Sequence, residues 1–336
     1  MSATGDRWFL LKRGAEMLFE TARFWLDLGD HIEGRGFCIN EVTGPDEYTA
    51  LVNNNVYTNL MAADHLAWAA RVYGEMRERD ESTLTALAER IGLDPNEADE
   101  WRRAADAVYI PYDGDRGLFP QDDAFFTRAV WDFQNTPSEH YPLLLHYHPL
   151  TIYRYQVLKQ PDLVMALFLQ GRRFTREEKR HNFHYYDPLT TGDSSLAACV
   201  QSIVAAEIGE TELAYRYFMK TARMDLDDVN GNVKDGIHAA AMAGTWLSMV
   251  YGFAGMRDFD GRLSFQPYLP TEWERLSFRI LWHGTPLQVS VGPETTTYSL
   301  PRGGEVRFAH ADEEHTLTDD EHVELRNPTD EEVRAS

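Results

Sequence analysis

The sequence predicts a mainly α-helical, layered fold followed by a small antiparallel β domain. Three observations predict it. Apolar residues recur at helical spacing in successive segments up to Tyr251. One late segment, 237–251, is apolar nearly all round, as an inner helix is. After Gly255 the pattern switches to alternation of period two.

Taken in order, Trp8, Leu11, Ala15, Leu18, Ala22 and Trp25 predict a helix over 7–28. Leu10, Met17, Phe19 and Phe24 widen its apolar face, which predicts a helix covered on most sides. The stretch CINEVTGPDEYTALVNNNVY, 38–57, follows. Its Gly44-Pro45 pair breaks regular structure and places Glu41, Asp46 and Glu47 on a loop. Loops held by rigid helices commonly carry catalytic groups, so Glu47 is the candidate general acid. Capping, or pairing of these acids with Arg35, is the alternative reading. Val56, Leu60, Ala63, Ala67 and Ala70 then mark a helix, and two more are predicted over 81–91 and 97–108.

Segment 110–136 reads as a loop rich in aromatic side chains, suited either to stacking on sugar rings or to ordinary surface packing. Helical pieces are predicted over 143–155 and 162–170, on either side of Lys159-Gln160, and a short charged helix over 176–183. Leu196, Cys199, Val200, Ile203, Val204 and Ile208 form a clear stripe, followed by a helix over 210–224. Leu276, Phe278, Ile280 and Trp282, then Leu287, Val289 and Val291 across the His283-Gly284 turn, predict antiparallel strands. Tyr298, Leu300, Val306 and Phe308 continue them. From Ala311 the chain is acidic and reads as a disordered tail.

Acidic residues outnumber basic ones 54 to 32, for a formal charge of −22. That balance argues against nucleic acid or an anionic membrane as partner. No stretch is apolar for long enough to span a bilayer as a helix. Two cysteines, Cys38 and Cys199, make no disulfide framework and point to a reduced, cytoplasmic setting.

Asp193 is a candidate N-cap that would put Ser194 and Ser195 on the first turn of the next helix. Hydroxyls and free N–H groups at a helix start suit an anion, and equally suit plain capping. Asp235-Gly236-Ile237-His238 reads as a second helix start, with His238 either facing a ligand or packed. Lys159 and Gln160 stand before Pro161, where a lysine meets phosphate, a sugar hydroxyl or only solvent. His146-x-His148 and His181-x-x-His184 lack acidic or cysteine partners at ligand spacing, so no metal site is predicted.

The motif INEVTGPDEYTALVNNNVYTNLMA resembles the signature of glycoside hydrolase family 65, the family of maltose, trehalose, kojibiose and nigerose phosphorylases. HYHPLTIYRYQVLKQPDLVMALFL, YYDPLTTGDSSLAACVQS and DGIHAAAMAGTWL match the same family in the same order. The resemblance covers 7 to about 308 and implies the second half of an (α/α)6 barrel over 1–255 and a C-terminal β domain over 256–310, ahead of the acidic tail that composition predicts over 311–336. It also implies an inverting reaction. Glu47 would protonate the leaving glycosidic oxygen while inorganic phosphate attacks the anomeric carbon from the opposite face. Ser194, Ser195 and His238 would hold the phosphate, and Lys159 and Gln160 the glucosyl unit. No cofactor is implied; phosphate is a co-substrate beside an α-linked glucosyl disaccharide.

A hydrolase of the same fold would need a second carboxylate roughly 6.5–9.5 Å from the acid. Serines and a histidine at that place favour phosphorolysis. The sequence departs from the family at Gly192, where several members carry histidine. It also lacks the family's N-terminal β-sandwich, helical linker and first barrel helices. A half barrel of this kind would expose Trp8, Trp25 and the helix of Ile237. The partner arrangements implied are a homodimer and an N-terminal half on another chain.

Overall fold

A computed structural model describes residues 3–319, 321–329 and 332. The chain divides into two compact units. One is 6–166; the other joins 167–336 to the residues up to Gly5.

In the first unit Asp6 accepts the Phe9 N–H at 2.9 Å, and the chain stays helical from 7 to 28. It runs as α1 (Arg7–Phe9), a π-helical turn (Leu10–Gly14) and α2 (Ala15–Leu28). Only Leu10, Ala15, Phe19 and Ala22 of this helix are buried; Phe19 stacks on the fully buried Trp101 at 5.2 Å. The expected cover on most sides is therefore not found: Trp8, Phe9, Met17 and Phe24 are exposed. Trp25 is half-buried against the core.

A hairpin follows that the sequence pattern did not reveal, β1 (Gly29–Ile32) with β2 (Gly36–Ile39), pairing Gly29 with Ile39. Three of the four β1 residues are exposed, so the strand has no apolar alternation to read. Gly29 is required there because any Cβ would run into the Phe37 ring.

Helices α3 (Val56–Arg79), α4 (Glu81–Ile91) and α5 (Glu97–Ala107) complete the main core of this unit with α2. Asn55 caps α3 by accepting the Thr58 N–H at 2.9 Å. The expected helix over 143–155 is broken up. A 3-10 turn (Leu143–Leu145), α6 (Pro149–Ile152) and β4 (Tyr155–Gln156) occupy it, with β4 parallel to β3 (Ala129–Val130). Pro149 lacks the N–H that would continue the preceding turn, and His148 caps the new one. Helix α7 (Asp162–Leu169) contains the boundary between the units.

In the second unit α8 (Arg176–Tyr186) starts on a capping box of Thr175 and Glu178. Then come α9 (Ala197–Glu207), α10 (Thr211–Ala222) and α11 (Ala239–Leu247), which continues as π-helical turns (Ser248–Phe253). Helix α9 is buried along nearly its whole length. The reading of 237–251 as an inner helix, apolar nearly all round, needs correction: Ile237, Met242 and Trp246 are exposed, while Ala241, Gly244, Ser248 and Val250 form the buried face.

Beyond Gly255, β5 (Ser264–Phe265), β6 (Leu276–Trp282), β7 (Thr285–Val291), β8 (Thr295–Ser299), β9 (Val306–His310), β10 (Glu313–Leu317) and β11 (His322–Arg326) form two sheets, ordered β11-β8-β7-β6 and β10-β9-β5. His283 and Gly284, both at positive φ, make the two-residue turn between β6 and β7. All pairings are antiparallel except β5 with β9. The expectation of a disordered tail from Ala311 fails for β10 and β11. Their charged residues are exposed on sheet edges, where charge discourages further pairing without preventing the strand. Asp320, Asp330, Glu331 and 333–336 of that stretch lie outside the described residues.

Candidate active site

The acidic loop of the first unit is tied at its base by backbone pairing. Val42 and Val52 exchange N–H···O bonds of 3.0 and 2.9 Å. Glu41, Leu51 and Asn54 take positive φ to close it. The run Asn53-Asn54-Asn55 clamps the loop. The Asn53 side chain accepts the Glu41 N–H at 3.1 Å, Asn54 accepts the Ile39 N–H at 3.2 Å, and Asn55 caps α3. The Tyr48 ring is buried, and its hydroxyl accepts the Leu143 N–H at 2.8 Å. Arg35 pairs with Asp123, not with the loop acids.

At the tip, Glu47 and Asp46 point to different environments. Glu47 is exposed and contacts the Lys159 ammonium, and its N–H donates to Gln160 Oε1 at 3.2 Å. Lysine holds its carboxyl below the usual range, against a smaller opposing effect of burial. Asp46 is fully buried. Its Oδ1 accepts the N–H groups of Lys159 at 2.9 Å, Tyr48 at 3.1 Å and Gln160 at 3.3 Å, and its Oδ2 accepts Gln121 Nε2 at 3.1 Å. Burial pushes its carboxyl up to about 6. Three sequence candidates, Glu47, Lys159 and Gln160, are thus brought together, and Asp46 is the residue the sequence reading left without a role. Aspartate ahead of glutamate after Gly-Pro was visible, but its buried bonds to a segment 113 residues on were not.

The aromatic loop is mostly packing. Phe125 is buried, and Trp131 sits in a core with Tyr48, Leu143, Ile152 and Val157, edge-on to Tyr147 and Tyr155 at 5.1 Å. Of the histidines, His140 stacks on His146 at 5.1 Å, and His148 caps Leu150. Among the described residues no group of three or more His, Cys, Asp or Glu is placed to hold a metal ion.

In the second unit, Ser194 is buried and its hydroxyl accepts the Leu196 N–H at 3.1 Å. This turn delays the helix to Ala197, so Asp193 is not its N-cap; it accepts the Thr191 hydroxyl at 2.7 Å instead. Ser194 and Ser195 therefore precede α9 rather than lying in its first turn. Likewise α11 starts at Ala239, after Gly236 at φ 124°. His238 occupies the N-cap position, where Asp225 accepts both its backbone N–H at 3.0 Å and its Nδ1 proton at 2.5 Å.

Helices α9 and α11 run parallel. A Cβ at Gly244 would strike Cys199, Ser248 Oγ donates to Cys199 O, and Gly252 faces Ile203 and Ala206. Position thus advances together on both helices, which puts the Ser194-Ser195 turn and His238 at the same, N-terminal end. Lys220 joins this end by donating to Gly192 O at 2.5 Å. Gly192 is at φ 74°, and a Cβ there would meet the lysine nitrogen at 2.9 Å. Burial lowers the Lys220 pKa. No local signal in the sequence marks Lys220, because it sits on an ordinary amphipathic helix.

The chain matches the model of the glycosyl hydrolase family 65 central catalytic domain over residues 1–247 and that of the family's C-terminal domain over 256–317. It belongs to glycoside hydrolase family 65. It is 49% identical over 322 residues to an alpha,alpha-trehalose phosphorylase of Geobacillus stearothermophilus, covering 96% of this chain and 42% of that protein. A kojibiose phosphorylase of Halothermothrix orenii is 36% identical, over 88% of this chain and 38% of its own length. A solved structure described provisionally as a kojibiose phosphorylase from the human microbiome superposes with a TM-score of 0.87 at 29% identity, covering 98% of this chain and 48% of the other. The chain thus spans about two fifths of the length of the curated relatives it matches.

Proposed function

We propose that this chain carries the proton donor and the phosphate-holding groups of an inverting α-glucosyl disaccharide phosphorylase built on the second half of an (α/α)6 barrel. Glu47 protonates the leaving glycosidic oxygen. Phosphate attacks the anomeric carbon from the opposite face and gives β-glucose 1-phosphate and a free sugar. Ser194, Ser195 and His238 hold the phosphate, and Lys159 and Gln160 the glucosyl unit. Phosphate is already an anionic nucleophile, so it needs orientation and charge neutralisation rather than a strong base. No cofactor takes part. The two cysteines, both free and buried, support a cytoplasmic setting.

The observation that carries this reading is the shared N-terminal end of α9 and α11, where hydroxyls, His238 and Lys220 gather in a family 65 chain. A general acid must be protonated before it acts, whereas Lys159 holds Glu47 ionised. The two roles are reconciled if a glucosyl hydroxyl takes Lys159 on binding and frees Glu47 to accept a proton. Incubation with trehalose or kojibiose and phosphate tests the reaction, read as glucose 1-phosphate. Glu47→Gln should lower turnover by about 10²–10⁴-fold. Free glucose without glucose 1-phosphate would instead make the chain a hydrolase.

A second reading rests on the exposed Trp8, Phe9, Met17 and Phe24. The site is then completed by an N-terminal segment, in the same polypeptide or on another chain. Activity only after addition of that segment of a relative would support it.

A further inference from the structure

Behind the Glu47 loop lie two carboxyl groups, Asp46 and Asp162, both fully buried. Asp46 has four donors, three backbone N–H groups and the Gln121 amide, and none carries a charge. Asp162 has fewer. Asn55 Nδ2 donates to its Oδ2 at 2.9 Å and the Asp46 N–H is directed at its carboxyl, while Oδ1 is buried with no hydrogen-bond partner. Among the described residues, the groups facing Asp162 add no compensating cation. Asp46 faces it from the loop, Asp122 adds a further negative charge already paired with Arg128, and Tyr57 faces it from α3. The nearby Lys159 ammonium is engaged by Glu47.

Two buried carboxylates sharing one site do not both stay ionised. The donor sets decide which one is neutral. Four donors favour charge on Asp46, and an orphaned oxygen disfavours it on Asp162, where a proton turns the acceptor without a partner into a donor. Gly44 adds a steric observation: a Cβ there would overlap Asp162 Oδ2 and the Asn55 amide, so the loop backbone rests directly on this carboxyl.

We propose that Asp162 is a positioning residue that holds the Glu47 loop as a neutral carboxylic acid. The aspartate pair is a latch under the loop. With Asp162 neutral, Asp46 keeps the N–H groups of Lys159 and Gln160, and Glu47 stays beside both side chains. With Asp162 ionised, repulsion drives the loop off that segment. Burial and the Asp46 charge hold the Asp162 carboxyl well above the ordinary carboxylate range, which agrees with this geometry.

The role given to the latch rests on Glu47 being the proton donor, so its test avoids turnover. Aspartate labelled at its carboxyl carbon is followed by NMR across pH, together with amide exchange at Tyr48, Lys159 and Gln160. One aspartate signal is expected at the neutral-acid position near neutral pH, and to be absent in Asp162→Asn. In the wild-type chain protection of the three amides should fall by up to about tenfold per pH unit once that signal titrates. Asp162→Asn, a neutral isostere, should keep the protection and lose its pH dependence. All aspartate signals at the ionised position near neutral pH would overturn the proposal, as would an unchanged decline in Asp162→Asn. The wild-type spectrum decides the protonation state even if the variant fails to fold.

Discussion

The ammonium of Lys159 contacts the carboxylate of Glu47, and the backbone N–H of the same lysine donates to Asp46 at 2.9 Å. One residue thus governs the charge of the candidate acid and the position of its loop. The side chain controls the first and the main chain the second, so substitution can separate them. Lys159→Met keeps the backbone bond and removes the charge. The Glu47 carboxyl should then titrate higher, because the largest effect lowering it is gone and burial still raises it. Carboxyl NMR of labelled glutamate measures this; a Glu47 titration that does not move would remove Lys159 from the control of the acid.

Gly44 offers a steric test of the same loop. Its added Cβ would overlap Asp162 and Asn55, and neither can retreat, since both are fully buried and bonded to each other. Gly44→Ala should cost about 1–3 kcal/mol in denaturant unfolding, the usual range for overpacking. A variant as stable as the parent would mean that the loop does not rest on Asp162.

Asp46 has a stability consequence with a definite sign. Its folded-state pKa, about 6, lies above the ordinary 3.8. The folded chain therefore holds this proton more tightly than the unfolded one. The associated stability is fully present below the ordinary value and is lost as pH rises towards about 6, after which it is level. The span corresponds to roughly 3 kcal/mol. Asp46→Asn should flatten the fall in stability over that window relative to the parent, measured by urea unfolding at stepped pH. An identical slope in both proteins would refute the assignment.

Much of this was legible in the sequence. The stripes of 7–28 and 196–208, the break at Gly44-Pro45 and the alternation after Gly255 follow from periodicity and turn chemistry, which are local. Glu47, Lys159 and Gln160 were candidates on residue type and motif, and their meeting is a long-range fact supplied by the fold. The β1–β2 hairpin escaped because its outer strand is polar. Strands β10 and β11 escaped because short, charged edge strands within an acidic stretch look like solvated chain. Asp162 and Lys220 escaped for another reason: a buried acid and a cation at a helix start are defined by what surrounds them, and nothing near them in sequence announces it.

Asp225 and His238 give the remaining prediction. Asp225 takes both the backbone N–H and the ring Nδ1 of His238, which fixes the imidazole at the N-cap of α11 and leaves Nε2 as the atom available to a ligand. The hydrogen bond from His238 also holds the Asp225 carboxyl below its usual range, so the pair keeps its negative member across the neutral region. Asp225→Asn preserves size but removes the carboxylate charge that accepts the Nδ1 bond and fixes the ring. A charge-assisted bond contributes about 1.5–3 kcal/mol, so inorganic phosphate should bind about tenfold or more weakly in the variant. Calorimetric titration with phosphate alone measures this without requiring turnover. Lys220→Met serves as the comparison, since it removes a cation at the same end without touching the imidazole. Loss of affinity in Lys220→Met but not in Asp225→Asn would assign the anion to the lysine and leave His238 a capping residue.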